Sequence, residues 1–285
     1  MDELTGTDER TALVPELIRL DGRRAVVTGA ARGIGRATAL ALATFGADVA
    51  VCDRLGDELD DTVARIRALG RTAPAAVLDV RDAAAVDGWV RELEADWEAV
   101  EVLVNNAGGG FVAPVAELST GGQAALIAEN FTQVADITRR CLPLLRAGAA
   151  VPGGSSVVNI TSVEAHRAGP GFGIYSAMKA AVANLTKTLA LELATDRVRV
   201  NAIAPDMIPT PGDAGLIDDS GAMSADGWAP TPWPEVGDPD DVAAAVCWLA
   251  GPMSRFVTGS TVHVDGGTFA ASGWKRTTDG DAWIL

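Results

Sequence analysis

Short apolar runs alternate with longer amphipathic stretches along almost the whole chain. Residues 25–28, 48–52, 75–78, 100–104, 156–160, 198–203 and 261–264 are brief, apolar and rich in valine, and each predicts a strand. Helical spacing fills the intervals. After Gly35 it sets Ala37, Leu40, Ala41 and Ala43 on one face, and over 58–69 it aligns Leu59, Val63, Ile66 and Leu69. Val86, Val90 and Leu93 mark a helix over 83–97, and 123–146, 175–194 and 240–249 predict three more. Repeated βαβ units of this kind make a parallel sheet with helices on both faces. Right-handed crossovers then favour an α/β, Rossmann-type, doubly wound sheet of about seven strands in a single domain.

The periodicity also suggests where that domain stops. Residues 1–20 are polar and then weakly amphipathic (Leu13, Val14, Leu17, Ile18) and read as an N-terminal arm. Residues 21–269 carry the alternation and form the expected single domain, and 270–285 form a C-terminal tail. One region inside the domain, 206–239, is rich in Pro, Gly, Asp, Met and Trp and has no clean period, which suits a substrate loop or a surface excursion.

Composition narrows the field of partners. The 285 residues carry a formal charge of −15, which repels phosphate backbones and anionic lipid, so neither nucleic acid nor membrane is an expected partner. Cys52, Cys141 and Cys247 are odd in number, far apart and without a CxxC pair, which points to a reducing compartment and against a disulfide scaffold or zinc site. The first ten residues are acidic with no apolar core of a secretory signal, and no stretch approaches 18 apolar residues. A cytoplasmic protein with no metal site is the expectation.

Residues 28–35, Thr-Gly-Ala-Ala-Arg-Gly-Ile-Gly, lie where the first strand hands over to a helix. Gly29, Gly33 and Gly35 let the backbone turn sharply and approach a pyrophosphate, which the helix N-terminus holds with its free N–H groups; Arg32 and Ile34 share that turn. A plain tight turn is the bland alternative. Asp53, 18 residues beyond Gly35 at the end of the second strand, stands where a carboxylate meets adenosine ribose hydroxyls and repels a 2′-phosphate. NAD is therefore the expected cofactor ahead of NADP, although Arg32 and Arg54 offer guanidinium groups that bind phosphate. Asp79 and Val80 follow the third strand and suit either an adenine contact or a strand-end cap.

The only tyrosine in the chain, Tyr175, precedes one of three lysines, Lys179, by four residues on a helix. That spacing places both side chains on one face. A phenol is a poor acid–base group near neutrality, and an adjacent ammonium stabilises its phenolate. The pair can therefore exchange a proton with a carbonyl or alcohol oxygen.

With these motifs in order, the chain resembles the short-chain dehydrogenase/reductase family from about residue 22 to 267. The family's TGxxxGxG matches 28–35, its NNAG matches Asn105, Asn106, Ala107 and Gly108, and its YxxxK matches Tyr175 to Lys179. Its serine matches Ser162, 13 residues before the tyrosine, and its helix-borne asparagine matches Asn130. The resemblance implies that Tyr175 handles the proton and that Lys179 lowers its pKa and bonds the nicotinamide ribose. It implies that Ser162 holds the substrate oxygen, that Asn130 positions water beside Lys179, and that 105–108 brace the central strand and line the cofactor cleft. A homotetramer or homodimer built through 123–146 and 175–194 is implied as well.

The chain departs from the family after the sixth strand, where Pro-Gly-x-x-x-Thr becomes Pro205-Asp206-Met207-Ile208-Pro209-Thr210. Pro205, Ile208 and Thr210 remain suited to the nicotinamide carboxamide. Asp206 either meets the ring or a polar substrate, or accommodates the left-handed backbone that glycine would supply. Family-type substrate contacts fall on Val163, Glu164 and His166, on Gly109, Gly110 and Phe111, and on Met207, Ile208, Leu216, Ile217, Met223, Trp228 and Trp233. This mainly apolar set suits a medium-sized ketone or secondary alcohol, a small-molecule partner. The tail, with Trp274 and Trp283, packs either on its own subunit or on a neighbour. The expected activity is NAD-dependent interconversion of alcohol and ketone. A 3-oxoacyl reductase acting on carrier or coenzyme A thioesters is the alternative, and a non-catalytic nucleotide-binding protein the remote one. An enoyl reductase would need a longer Tyr-to-Lys spacing.

Overall fold

The computed structural model describes residues 13–213, 231–277 and 281–284. Seven strands form one sheet: β1 (Arg24–Thr28), β2 (Asp48–Asp53), β3 (Ala75–Val77), β4 (Val102–Asn105), β5 (Ser155–Ile160), β6 (Val198–Pro205) and β7 (Thr261–Val264). Their order across the sheet is β3-β2-β1-β4-β5-β6-β7, and every pairing is parallel. The expected α/β doubly wound architecture is the one observed.

Parallel strands covered on both faces need apolar side chains in both directions. The buried positions divide accordingly. Val27, Val49, Val51, Val102, Val104 and Val158 pack with helices α1 (Gly33–Thr44), α2 (Gly56–Ala68) and the C-terminal Pro239–Ala250 helix. Val26, Ala50, Cys52, Leu103, Val157 and Val200 face the other way, toward α3 (Ala83–Asp96), α5 (Gln133–Gly148) and the end of α6 (Gly173–Glu192). Neighbouring residues on a strand thus serve opposite cores, as alternation dictates.

Local signals set the helix starts. Asp82 caps α3 by accepting from the Ala84 and Ala85 N–H groups, at 3.0 and 3.1 Å. Before α7 (Pro239–Ala250), Asp238 and Asp241 form a reciprocal capping box with Pro239 in the first turn. The helix expected over 123–146 differs from the reading. It is α4 (Thr120–Ile127), then a π turn (Ala128–Thr132), then α5. Within that turn the Asn130 amide donates to the Leu126 carbonyl, four residues back, at 3.0 Å, and to the Gly109 carbonyl at 2.8 Å. A side chain that takes the carbonyl normally reserved for a backbone N–H loosens the ladder and widens the turn.

Among the described residues, no helix is long and apolar enough to cross a membrane. The C-terminal residues form a two-stranded antiparallel ribbon, β8 (Lys275–Arg276) with β9 (Trp283–Ile284). Arg276 Nε donates to the Pro232 carbonyl of the same chain at 3.0 Å.

Candidate active site

The chain reverses direction across the sheet between β1 and β4, and a cleft of about 780 Å³ opens there at the carboxyl ends of the strands. At one end lies the turn from β1 to α1. Gly29 and Gly33 have φ of 67° and 56°, in the left-handed region open to glycine. A Cβ on Gly35 would overlap the Gly29 carbonyl oxygen, so the third glycine is fixed by close approach of backbone to backbone. The turn is braced from β4. Asn106 Nδ2 donates to the Thr28 and Gly29 carbonyls, both at 3.0 Å, and Thr28 Oγ1 accepts from the Asn106 and Ala107 N–H groups at 3.1 and 3.0 Å. The amino end of α1, which has no side-chain cap, faces this turn with its free N–H groups.

Asp53 closes β2 at the cleft edge. Its two oxygens accept from the Ala31 and Leu55 N–H groups, each at 3.0 Å, so the carboxylate is held in one orientation by the turn it faces. Arg32 lies 3.9 Å from Glu58, and Arg54 lines the cleft. The third strand stops at Val77, before Leu78. Asp79 and Val80 follow it into the cleft wall, where Arg81 Nε donates to both Asp79 oxygens at 2.9 and 3.0 Å. That bond holds the Asp79 carboxyl below its usual range.

Ser162, Tyr175 and Lys179 come together in the middle of the cleft, from the end of β5 and the first turns of α6. Lys179 is only 5% exposed; its Nζ donates to the Ile160 carbonyl at 3.0 Å and lies 5.6 Å from the centre of the Tyr175 ring. Burial pushes the ammonium down to about 8, opposed by the negative charge of Glu129. Ser162 Oγ accepts from the Glu164 N–H at 3.2 Å, which orients the hydroxyl. Asn130 sits behind the cleft wall and accepts from the Gly109 N–H at 3.2 Å. The glycines of this wall are there for space: a Cβ on Gly108 would stand 3.0 Å from Asn130 Oδ1 and 3.2 Å from Lys179 Nζ. On Gly110 it would stand 3.1 Å from Tyr175 Cδ2.

At the far end, Glu164, Phe111, Met207 and Ile208 line the cleft, with Pro205 and Thr210. His166 does not. Its ring packs 5.0 Å from His263 and 5.7 Å from Phe269, outside the cleft wall, because the 3-10 turn Val163–Ala165 rotates it toward β7. Val163 is fully buried and Trp233 is on the surface, so neither reaches the cleft. Leu216, Ile217, Met223 and Trp228 lie outside the described residues. The left-handed residue after β6 is Met207, with φ of 52°, rather than Asp206. Asp206 is instead a hydrogen-bond node, accepting from Met207 N–H, Arg167 and Thr268. Glu129, Arg167 and Phe172 also line the cleft and were not among the sequence candidates. Adjacency to Asn130 is the one signal that points to Glu129.

A family model described as enoyl-(acyl carrier protein) reductase, one of those of the short-chain dehydrogenase/reductase family, matches residues 29–268. An uncharacterized oxidoreductase of Mycobacterium tuberculosis is 37% identical over 255 residues, covering 90% of this chain and 95% of the relative. Carveol dehydrogenase of Mycobacterium avium, solved in complex with NAD, superposes with a TM-score of 0.81 at 29% identity, covering 88% of this chain and 99% of that one. A gluconate 5-dehydrogenase of Burkholderia cenocepacia, solved with NADP and tartrate, gives 0.80 at 33% identity, covering 90% and 98%. Sheet order, glycine turn and matched length agree, and the chain belongs to the short-chain dehydrogenase/reductase family of oxidoreductases.

Proposed function

We propose that this protein is an NAD-dependent dehydrogenase that interconverts a secondary alcohol and a ketone on a medium-sized, largely apolar small molecule. One observation carries the reading: a buried lysine, one helical turn from the chain's only tyrosine, faces a cleft that also holds Ser162.

The residues present fit a nicotinamide dinucleotide. Gly29 and Gly35 leave no room for a Cβ and Gly33 takes a left-handed backbone beside the amino end of α1, and the donors there suit a pyrophosphate. Asp53 suits two ribose hydroxyls and opposes a 2′-phosphate, which favours NAD over NADP. Arg32, Ile34, Arg54, Asp79, Val80, Asn106, Ala107, Gly108, Pro205, Ile208 and Thr210 complete the lining. When bound, the dinucleotide supplies or accepts a hydride.

The chain's own residues manage the oxygen. In the reductive direction, Tyr175 gives its phenolic proton to the carbonyl oxygen as charge develops there, and Ser162 donates a second hydrogen bond to the same oxygen. The Lys179 ammonium stabilises the phenolate left behind, and Asn130 orders the wall through which a proton returns. In the oxidative direction the phenolate takes the alcohol proton.

A 3-oxoacyl reductase is the second reading, supported by 34% identity over 253 residues to a 3-oxoacyl-[acyl-carrier-protein] reductase of Thermotoga maritima. The charge of −15 opposes docking of an acidic carrier. The family resemblance further supports a homotetramer or homodimer, and the three dispersed cysteines support a reducing, cytoplasmic setting. The test is NADH formation across a panel of secondary alcohols with wild type and Tyr175→Phe. Turnover that falls by about 10²–10⁴ in the variant, while NADH fluorescence still reports binding, supports the reading. Variant activity within about tenfold of wild type rejects Tyr175 as the acid, and NADH binding without turnover of any alcohol or ketone favours the non-catalytic reading.

A further inference from the structure

The substrate end of the cleft carries a chain of charged side chains that the catalytic steps leave unused. Glu164, two residues past Ser162, accepts from Arg167 Nε at 3.0 Å and Nη2 at 2.8 Å through a single oxygen. The same Nη2 donates to Asp206 Oδ2 at 2.9 Å, and that oxygen accepts from Thr268 Oγ1 at 2.6 Å. Glu164, Arg167 and Asp206 all line the cleft. The chain therefore ties the segment after β5 to the segment after β6 and to the turn that follows β7.

Two features of this strap bear on what can enter. Two carboxylates face one guanidinium, so the strap holds an excess negative charge. Their side chains are 19% and 17% exposed, which leaves that charge weakly screened by solvent. The other Glu164 oxygen is buried and has no hydrogen-bond partner among the described residues, so Arg167 is the group that offsets this carboxylate. Arg167 is also the wrong group to receive an anion in this state. To bind a ligand carboxylate it must share itself with a third negative group or abandon Asp206, whose other partners keep it in place.

We infer that the Glu164–Arg167–Asp206–Thr268 strap sets substrate class, admitting neutral or cationic alcohols and ketones and rejecting those that carry a carboxylate or phosphate near the reacting carbon. This rests on the proposed dehydrogenase reading and deepens it by naming the class of substrate. It assigns Asp206, which stands where the family has glycine, a positioning role: it holds Arg167 against Glu164 and so denies that cation to an incoming anion.

The test compares cyclohexanol with cyclohexanecarboxylate by isothermal calorimetry, and cyclohexanone with 4-oxocyclohexanecarboxylate by kcat/KM, all with NADH or NAD present. Wild type is expected to favour the neutral member of each pair. In Glu164→Gln/Asp206→Asn, the ratio of anion to neutral compound should rise by about tenfold in both measurements, as both like-charge repulsions are lost and Arg167 is freed. Raising the salt concentration should lift the same ratio in wild type and less so in the double variant. Wild type that prefers the carboxylate, with Arg167→Leu abolishing the preference, overturns the inference and makes Arg167 an anion anchor. Ratios that the double substitution does not move overturn it as well. The calorimetric arm needs no turnover, so failure of the dehydrogenase reading is seen separately, as absent kcat with the binding ratio still shifted. Single Glu164→Gln and Asp206→Asn variants, each checked by thermal melting, cover the case in which the double variant does not fold.

Discussion

Lys179 and Arg199 are both buried cations that pair with no carboxylate among the described residues, yet the structure treats them differently. Arg199, at the amino end of β6, is saturated: Nε donates to the Gly153 carbonyl at 3.0 Å, Nη1 to Ser254 Oγ at 2.9 Å, and Nη2 to the Leu249 and Gly251 carbonyls at 2.8 and 3.3 Å. Burial pulls it down to about 10, helped by the like charge of Arg23, and it remains a cation at any ordinary pH. Lys179, at the opposite end of the sheet, donates to one carbonyl and faces a cleft, and burial pulls it down to about 8. A buried charge that satisfies every donor internally stitches the fold. One that keeps donors for something else has a task beyond folding.

The sharpest way to break this contrast is to remove each cation in turn. Lys179→Met should cost about 10²–10³ in kcat, because the phenolate of Tyr175 loses its charge partner, while the melting temperature stays level or rises as a desolvated charge disappears. Arg199→Met should do the reverse. Several carbonyls lose their donor at once, so urea unfolding should report a loss of about 3 kcal/mol with the activity of the folded fraction retained. If Lys179→Met unfolds the protein and Arg199→Met silences it, the comparison is upside down.

Smaller effects sharpen the same picture. Asp53→Asn removes the charge opposed to a 2′-phosphate while keeping an oxygen for one of its two backbone donors, so the preference of kcat/KM for NAD over NADP should fall by about tenfold. An unchanged ratio would relieve Asp53 of cofactor choice and leave it a turn-holding residue. The gentlest test is a pH series. The Lys179 value is lowered from 10.5 unfolded to about 8 folded, so between those limits the unfolded chain binds more protons and stability rises with pH. Wild type should therefore gain stability relative to Lys179→Met from pH 8 to 10.5, and parallel curves would show that the ammonium is not desolvated.

Much of this was legible in the sequence because it rests on local rules. Valine-rich runs became strands within a residue or two, since strands buried on both faces tolerate little else. Gly29, Gly33, Gly35, Ser162, Tyr175 and Lys179 reached one cleft because the βαβ topology carries every strand's carboxyl end to the same edge. Long-range choices were not legible. His166 turns toward His263 and Phe269, and no periodicity announces contacts across such distances in the chain. Arg167 enters the cleft because Asp206 and Glu164 hold it there, a pairing made only once β5 and β6 lie side by side. The positive φ fell on Met207 rather than Asp206, whose side chain instead accepts from Arg167 and Thr268, partners that lie 39 and 62 residues away in the chain.

The widened turn at Ala128–Thr132 has a consequence for how this segment tolerates change. A π turn spends one residue more than an α-helix of equal length, so deleting a single residue there would leave a helix with regular bonding and no gap. The turns on either side would stay close to their present phase, because the widened turn absorbs the added residue, so Ile137, Cys141 and Leu145 would keep their core while the bulge that carries Asn130 is lost. The extra residue is thus a local bulge: it lets Asn130 aim at Gly109 while α5 keeps its apolar stripe on the sheet.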